Sequence, residues 1–209
     1  MYCAPIHKTI HLREYDYIIS LGNKCPTTDT LRNLGLYKES FPFDYIPTTP
    51  KLILKYLQDQ TEFFPEKNVI RTKDDVWFGH FDINAGYDAT IDTFKRRFQR
   101  LFDILPTSRI LFVYTSEADV YNEMGNRYSD NYGDLCKLRD YLIETYNAKF
   151  TIAAIHVNKE YVDCFHITNY TIKVAEIYMS DDMSTHVDST CALYRNCLRQ
   201  MMQQVFINR

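Results

Sequence analysis

The sequence predicts an α/β protein: a single three-layer domain in which a largely parallel sheet is flanked by helices. Three features predict it. Short apolar runs at Tyr15–Leu21, Ile110–Thr115, Phe150–Val157 and Thr171–Met179 read as strands covered on both faces, because such strands do not alternate apolar with polar residues. Amphipathic stretches of about ten to fifteen residues lie between them, the alternation expected of βαβ units. No repeat, low-complexity tract or linker breaks the 209 residues, so residues 15–209 are expected to form one domain behind a polar leader, 1–14.

Each element has its own signal. The first strand runs into Gly22, and a helix is expected from Thr27 to Gly35, with Thr27 or Thr28 as its cap and Gly35 as its stop. The loop Glu39–Pro47 is too rich in proline and aromatic residues to be a mobile linker, and is expected to pack on the body. Leu52, Ile53, Tyr56 and Leu57 have helical spacing behind Pro50, which a first turn tolerates. Short strands are expected at Asn68–Arg71 and Val76–Ile83, joined by a turn at Lys73–Asp75. Asp92–Leu105 is amphipathic, with Phe94, Phe98, Leu101, Phe102 and Leu105 facing inward and Lys95, Arg96, Arg97 and Arg100 on the rest, and Pro106 stops it. Ser116–Asp119 reads as a turn and cap, Leu135–Tyr146 as a helix, and Ser189–Phe206 as a closing helix.

Composition excludes several classes of function. A formal net charge of −3 gives no basic footprint for nucleic acid. The six cysteines are scattered without a C-x-x-C pair, so no zinc site is expected, and the reading calls for no metal and no cofactor. The leader carries histidines and charges where a secretory signal has an apolar core, and no apolar run is long enough to span a bilayer. Reduced thiols and a cytoplasmic location are expected, in host cytoplasm or a virion if the chain is viral. The expected partner is a peptide or small-molecule substrate, with no nucleic acid and no membrane. Nothing in the sequence sets an oligomeric state.

The chemistry concentrates where the first strand meets the first helix. Cys25 lies there, behind Gly22, Asn23 and Lys24. Unpaired N–H groups at a helix start carry partial positive charge and favour thiolate over thiol, and Lys24 acts in the same direction. The same N–H groups suit a phosphate or other anion, with Gly22, Asn23, Lys24 and Arg97 as candidate contacts and Cys25 incidental. Alternatively, Cys25 is a buried structural thiol. A nucleophile needs a base. Among six histidines, His80 stands out, flanked by Trp77, Phe78 and Phe81 with Asp82 two residues on. On a strand Asp82 shares a face with His80 but is badly placed to bond it squarely; Asp44, in the stiff Phe41–Asp44 loop, is an equal or better candidate to orient it, or else caps the following helix or braces its own loop by an Asx turn.

The run Ser20-Leu21-Gly22-x-x-Cys25, then Leu34-Gly35-Leu36, Pro42-Phe43-Asp44-Tyr45, His80, Lys95-Arg96-Arg97-Phe98 and Ile110–Val113 resembles a family of unknown function described as papain-like cysteine peptidases. The resemblance spans most of the chain from Tyr15 to Val157. It implies Cys25 as nucleophile, His80 as base and Asp44 as a motif position, and a cysteine-dependent hydrolase acting on a peptide, isopeptide or other amide bond. Two positions depart from the family pattern: Phe81 stands between the histidine and Asp82, and Tyr114 stands where an arginine is usual. A papain-like α+β fold, with its sheet in an antiparallel half, is the alternative architecture. A transferase-like domain holding a phosphate or nucleotide-sugar, and a catalytically idle interaction protein, remain as other readings.

Overall fold

The computed structural model describes residues 10–22, 25–117, 128–158, 172–178, 198–200, 202–203 and 205–207. The fold is α/β. Four strands, β2 (Tyr17–Ser20), β3 (Arg109–Glu117), β4 (Lys149–Asn158) and β5 (Ile172–Tyr178), form one sheet in that order, and every neighbouring pair is parallel. The antiparallel half-sheet of a papain-like α+β arrangement is not found among the described residues. In register, Ser20 lies beside Val113 and Val113 beside Ala153, so the carboxyl ends of β2, β3 and β4 share one rim.

Alternation along the central strands builds two cores. Ile110, Phe112 and Tyr114 with Ile152 and Ala154 face one way, toward helices α2 (Pro50–Gln58), α3 (Tyr87–Ile104) and α4 (Tyr128–Tyr146). Leu111, Val113, Ala153 and Ile155 face the other way, toward Leu31 of α1 (Cys25–Asn33) and the C-terminal residues Leu198, Met202, Val205 and Phe206. This sandwich of helices around a parallel sheet is the expected three-layer arrangement.

Several boundaries differ from the expected ones for physical reasons. Helix α1 begins at Cys25, because Pro26 is tolerated in a first turn and costs no intrahelical bond there. Thr27 and Thr28 are therefore buried helix residues and not caps. The leader is not uniformly polar in behaviour: Ile10 and Leu12 are buried, and β1 (Ile10–His11) pairs in parallel with β6 (Phe206–Ile207). Helix α2 has Pro50 in its first position, as expected, and Thr49 as its N-cap. Helix α3 starts five residues before the expected Asp92, at Tyr87. Ser116 and Glu117, expected to turn, still belong to β3, while Ala118 and Asp119 and the expected start of the closing helix at Ser189 lie outside the described residues; Phe206, its expected end, is in β6.

The two strands expected across Asn68–Ile83 are replaced by an irregular segment with one isolated antiparallel bridge between Arg71 and Trp77. Val76 and Phe78 are buried at 1% and 0% exposure while Trp77 stands out at 37%. The β-like alternation is real, yet the inward residues dock on an aromatic cluster and not in a ladder. Phe63 is the hub of that cluster: its ring meets those of Phe43, Tyr56, Phe78, Phe94 and Phe98 at 5.1–6.2 Å, all edge-on. One ring thus pins the loop carrying Asp44 and Tyr45 and the loop carrying His80.

Candidate active site

The polypeptide turns at the rim directly after β2. Leu21 N–H still donates to Val113 O, and then Gly22 takes φ +80°, a left-handed conformation that glycine adopts without strain. A Cβ at Gly22 would stand 2.5 Å from Ile46 O and overlap Thr48 Oγ1, so the loop ending at Thr48 closes directly on this turn. Thr48 Oγ1 donates to Leu21 O at 2.8 Å and Thr27 Oγ1 donates to Gly22 O at 3.1 Å. Thr27 also reaches the hydroxyl of Thr115, two residues before the end of β3. Two adjacent strand ends are therefore stitched to the first turn of α1, and Cys25 opens that turn, half-buried.

His80 arrives from the irregular segment. Phe78 N–H donates to Ile70 O at 2.8 Å and Phe81 N–H to Phe78 O at 2.9 Å, which closes a turn around Gly79 and His80. A Cβ at Gly79 would fall inside the Trp77 indole, so this glycine lets the indole fold back over the backbone. The result is a Cys25 Sγ to His80 Nε2 distance of 2.8 Å, across 55 residues of sequence. Trp77 and Tyr45 flank the imidazole with ring centroids at 5.2 and 6.0 Å. His80 itself is exposed to solvent.

Neither carboxylate singled out from the sequence orients His80. Asp44 is 1% exposed and braces its own loop: Phe41 N–H donates to Oδ2 at 2.8 Å, Tyr37 Oη lies 2.8 Å from the same oxygen, and Thr28 Oγ1 is 3.4 Å from Oδ1. Burial raises its pKa, against the opposing effects of these bonds and of the Arg97 and Arg32 charges. Asp82 accepts from the backbone of Asn84 at 3.0 Å and Gly86 at 2.9 Å, which fixes the entry into α3. Because His80 lies in a turn, the expected strand face shared with Asp82 does not exist. Among the described residues no carboxylate hydrogen-bonds His80.

The anion-cradle residues fare differently from the pair. Gly22 N–H is taken by Ser20 Oγ at 3.1 Å and is not presented to a ligand. Asn23 and Lys24 lie outside the described residues. Arg97 turns inward from α3, its guanidinium 5.0 Å from the Phe94 ring centroid and 5.7 Å from that of Phe81. Burial lowers its pKa while the Asp44 charge acts against that, so it is a countercharge for Asp44. Arg97 also lines a cavity of about 360 Å³ with Glu39, Ser40, Thr93, Arg96 and Arg100, none of which belongs to the Cys25/His80 pair. The basic face of α3 is therefore partly engaged: Arg100 pairs with Glu39 at 2.9 Å and Arg96 bonds Thr93 at 2.9 Å.

Sequence reasoning missed Tyr45, Gly79 and Asp29. Tyr45 has φ +62°, which no sequence pattern announces for a tyrosine, and its hydroxyl donates to Asp29 Oδ1 at 2.9 Å. Among the described residues no group of three or more metal-ligating side chains is assembled, and no helix is long and apolar enough to cross a membrane.

No family model matches the chain, and no curated protein or solved structure matches it. What the fold and site define is a class: an α/β protein whose first sheet strand delivers a cysteine, at a helix N-terminus, to a histidine on a separate loop.

Proposed function

We infer that the protein is a cysteine-dependent hydrolase of amide bonds, with Cys25 as nucleophile and His80 as general base and acid. The observation that carries this is the 2.8 Å separation of Sγ and Nε2. Nucleophile and base within hydrogen-bond reach are what thiol catalysis needs, and a helix start favours the thiolate. The closed Gly22 N–H weighs against the anion-cradle reading.

His80 Nε2 takes the thiol proton and Cys25 Sγ attacks the carbonyl carbon of a peptide, isopeptide or other amide. The oxyanion is held by the first N–H groups of α1, to which Pro26 contributes none. The C–N bond breaks, the imidazolium gives its proton to the leaving amine, and a thioester remains on Cys25. Water, deprotonated by His80, attacks that thioester; the acid leaves and the thiol is restored. Transfer to an amine in place of water makes the same site a transferase.

The test is a screen of peptide and isopeptide amides with the wild-type chain and with Cys25→Ala. Turnover that disappears in Cys25→Ala is expected; turnover that survives it contradicts the assignment. A melting-temperature rise with phosphate or a nucleotide-sugar, unchanged in Cys25→Ala, would favour the ligand-binding reading instead.

A further inference from the structure

We propose that Tyr45 is a positioning residue that holds the His80 imidazole against Cys25, in the place where a carboxylate stands in a three-membered site; this rests on the Cys25/His80 reading above. Helix α1 supplies the grip. Cys25, Asp29 and Arg32 are spaced i, i+4 and i+7, so all three lie on one stripe of the helix. Asp29 Oδ1 accepts the Tyr45 hydroxyl at 2.9 Å, and the Arg32 guanidinium carbon lies 5.4 Å from the Tyr45 ring centroid. The helix that carries the nucleophile therefore also fixes the ring.

That ring is held at a conformational cost. A tyrosine at φ +62° is uncommon, and such backbone persists only where surrounding contacts over-determine it. Here the neighbours on either side are buried, Asp44 by its loop bonds and Ile46 at 0% exposure, so the chain has no relaxed alternative for residue 45. The outcome is an aromatic edge on the imidazole, at 6.0 Å and 66°. Trp77 meets the same imidazole at 5.2 Å and 69°, in a position that the missing Cβ at Gly79 allows. Among the described residues, Cys25 from α1, Tyr45 from its loop and Trp77 from its own segment meet His80. Orientation comes from two rings, and Nε2 is left pointing at Sγ.

The experiment measures Cys25 alkylation by iodoacetamide, by mass spectrometry across pH, in wild type, His80→Ala, Tyr45→Leu, Tyr45→Asn and Asp29→Ala. Each variant is first checked for a cooperative melt. Asn accepts left-handed backbone, so Tyr45→Asn removes the ring while easing the strain, and Asp29→Ala releases the ring without altering residue 45. Expected is a rate loss of about fivefold near pH 6.5 in Tyr45→Leu and Tyr45→Asn, reproducing the His80→Ala profile, with Asp29→Ala in between. Tyr45→Phe, which keeps the ring and loses only the bond to Asp29, is expected to recover part of that loss. Folded Tyr45 and Asp29 variants that keep the wild-type profile overturn the positioning role alone. A wild-type profile identical to that of His80→Ala overturns the Cys25/His80 pair, and the positioning role with it.

Discussion

Replacing Asp44 separates a loop brace from a catalytic orienter. Its carboxylate takes two short bonds, from Phe41 N–H and with the Tyr37 hydroxyl, both at 2.8 Å, and a longer one from Thr28 at 3.4 Å, at 1% exposure. Asp44→Ala strands the two short-bonded partners, at about 1.5 kcal/mol each, so a loss of about 3 kcal/mol is expected. Asp44→Asn keeps one oxygen for Phe41 and Tyr37, and its loss is expected to be about 1 kcal/mol at neutral pH. Urea unfolding of both variants reads these values.

The pH dependence of the same variant has a definite sign. Burial raises the folded pKa of Asp44 above the ordinary 3.8, so the folded state holds its proton at pH values where the unfolded chain has released it. The contribution of Asp44 to stability is therefore largest below pH 3.8 and falls as pH rises through that value and upward to the folded pKa. The gap between wild type and Asp44→Asn is expected to narrow over that range. Folded Asp44→Asn with Cys25 alkylation like wild type is expected; a variant that folds normally yet loses the thiol's reactivity makes Asp44 part of the chemistry and refutes the brace.

Gly22→Ala places a Cβ 2.5 Å from Ile46 O on a left-handed backbone, and a loss of about 2–4 kcal/mol in urea unfolding is expected; a loss below about 0.5 kcal/mol refutes the tight closure of that loop. Phe63→Ala empties the hub of the aromatic cluster, where removal of a fully buried phenylalanine costs about 3–5 kcal/mol. Because Phe63 pins both loops, Cys25 reactivity is expected to fall with it, and an unchanged rate in a folded variant contradicts the pinning. Asp82→Ala frees the Asn84 and Gly86 amides, and is expected to lower the melting temperature slightly while leaving Cys25 alkylation unchanged; a changed alkylation rate assigns it to the site.

The sheet was legible because its strands are apolar on both faces: Ile110–Val113 and Ile152–Ile155 supply both cores by simple alternation. The pairing of Cys25 with His80 was legible from residue type, since a cysteine behind a strand-ending glycine and a histidine among aromatics are local signals. The route by which His80 arrives was not. Val76, Trp77 and Phe78 alternate as a strand does, and only the packing on Phe63 and Phe94 shows that the segment is irregular. The roles of Asp44 and Asp82 were open for a similar reason: a carboxylate that accepts backbone N–H groups two to four residues away looks, in sequence, like one that faces a histidine. Tyr45 was illegible because its task depends on a positive φ imposed by neighbours. The burial of Ile10 and Leu12 likewise depends on Phe206, at the far end of the chain.

The most direct measurement is the pH profile of Cys25 alkylation in wild type against His80→Ala. An ordinary cysteine, with a pKa of about 8.5, is about 1% thiolate at pH 6.5. A thiol that an imidazole and a helix start hold below that value is far more ionised there, and its weaker intrinsic nucleophilicity trims the gain to about fivefold. The pair at 2.8 Å leads to a wild-type rate at pH 6.5 about fivefold above that of His80→Ala, an advantage that is lost and then reversed as the pH rises toward about 8.5, where the His80→Ala thiol also ionises and is the stronger nucleophile. Superimposed curves across the whole range would contradict a Cys25/His80 catalytic pair.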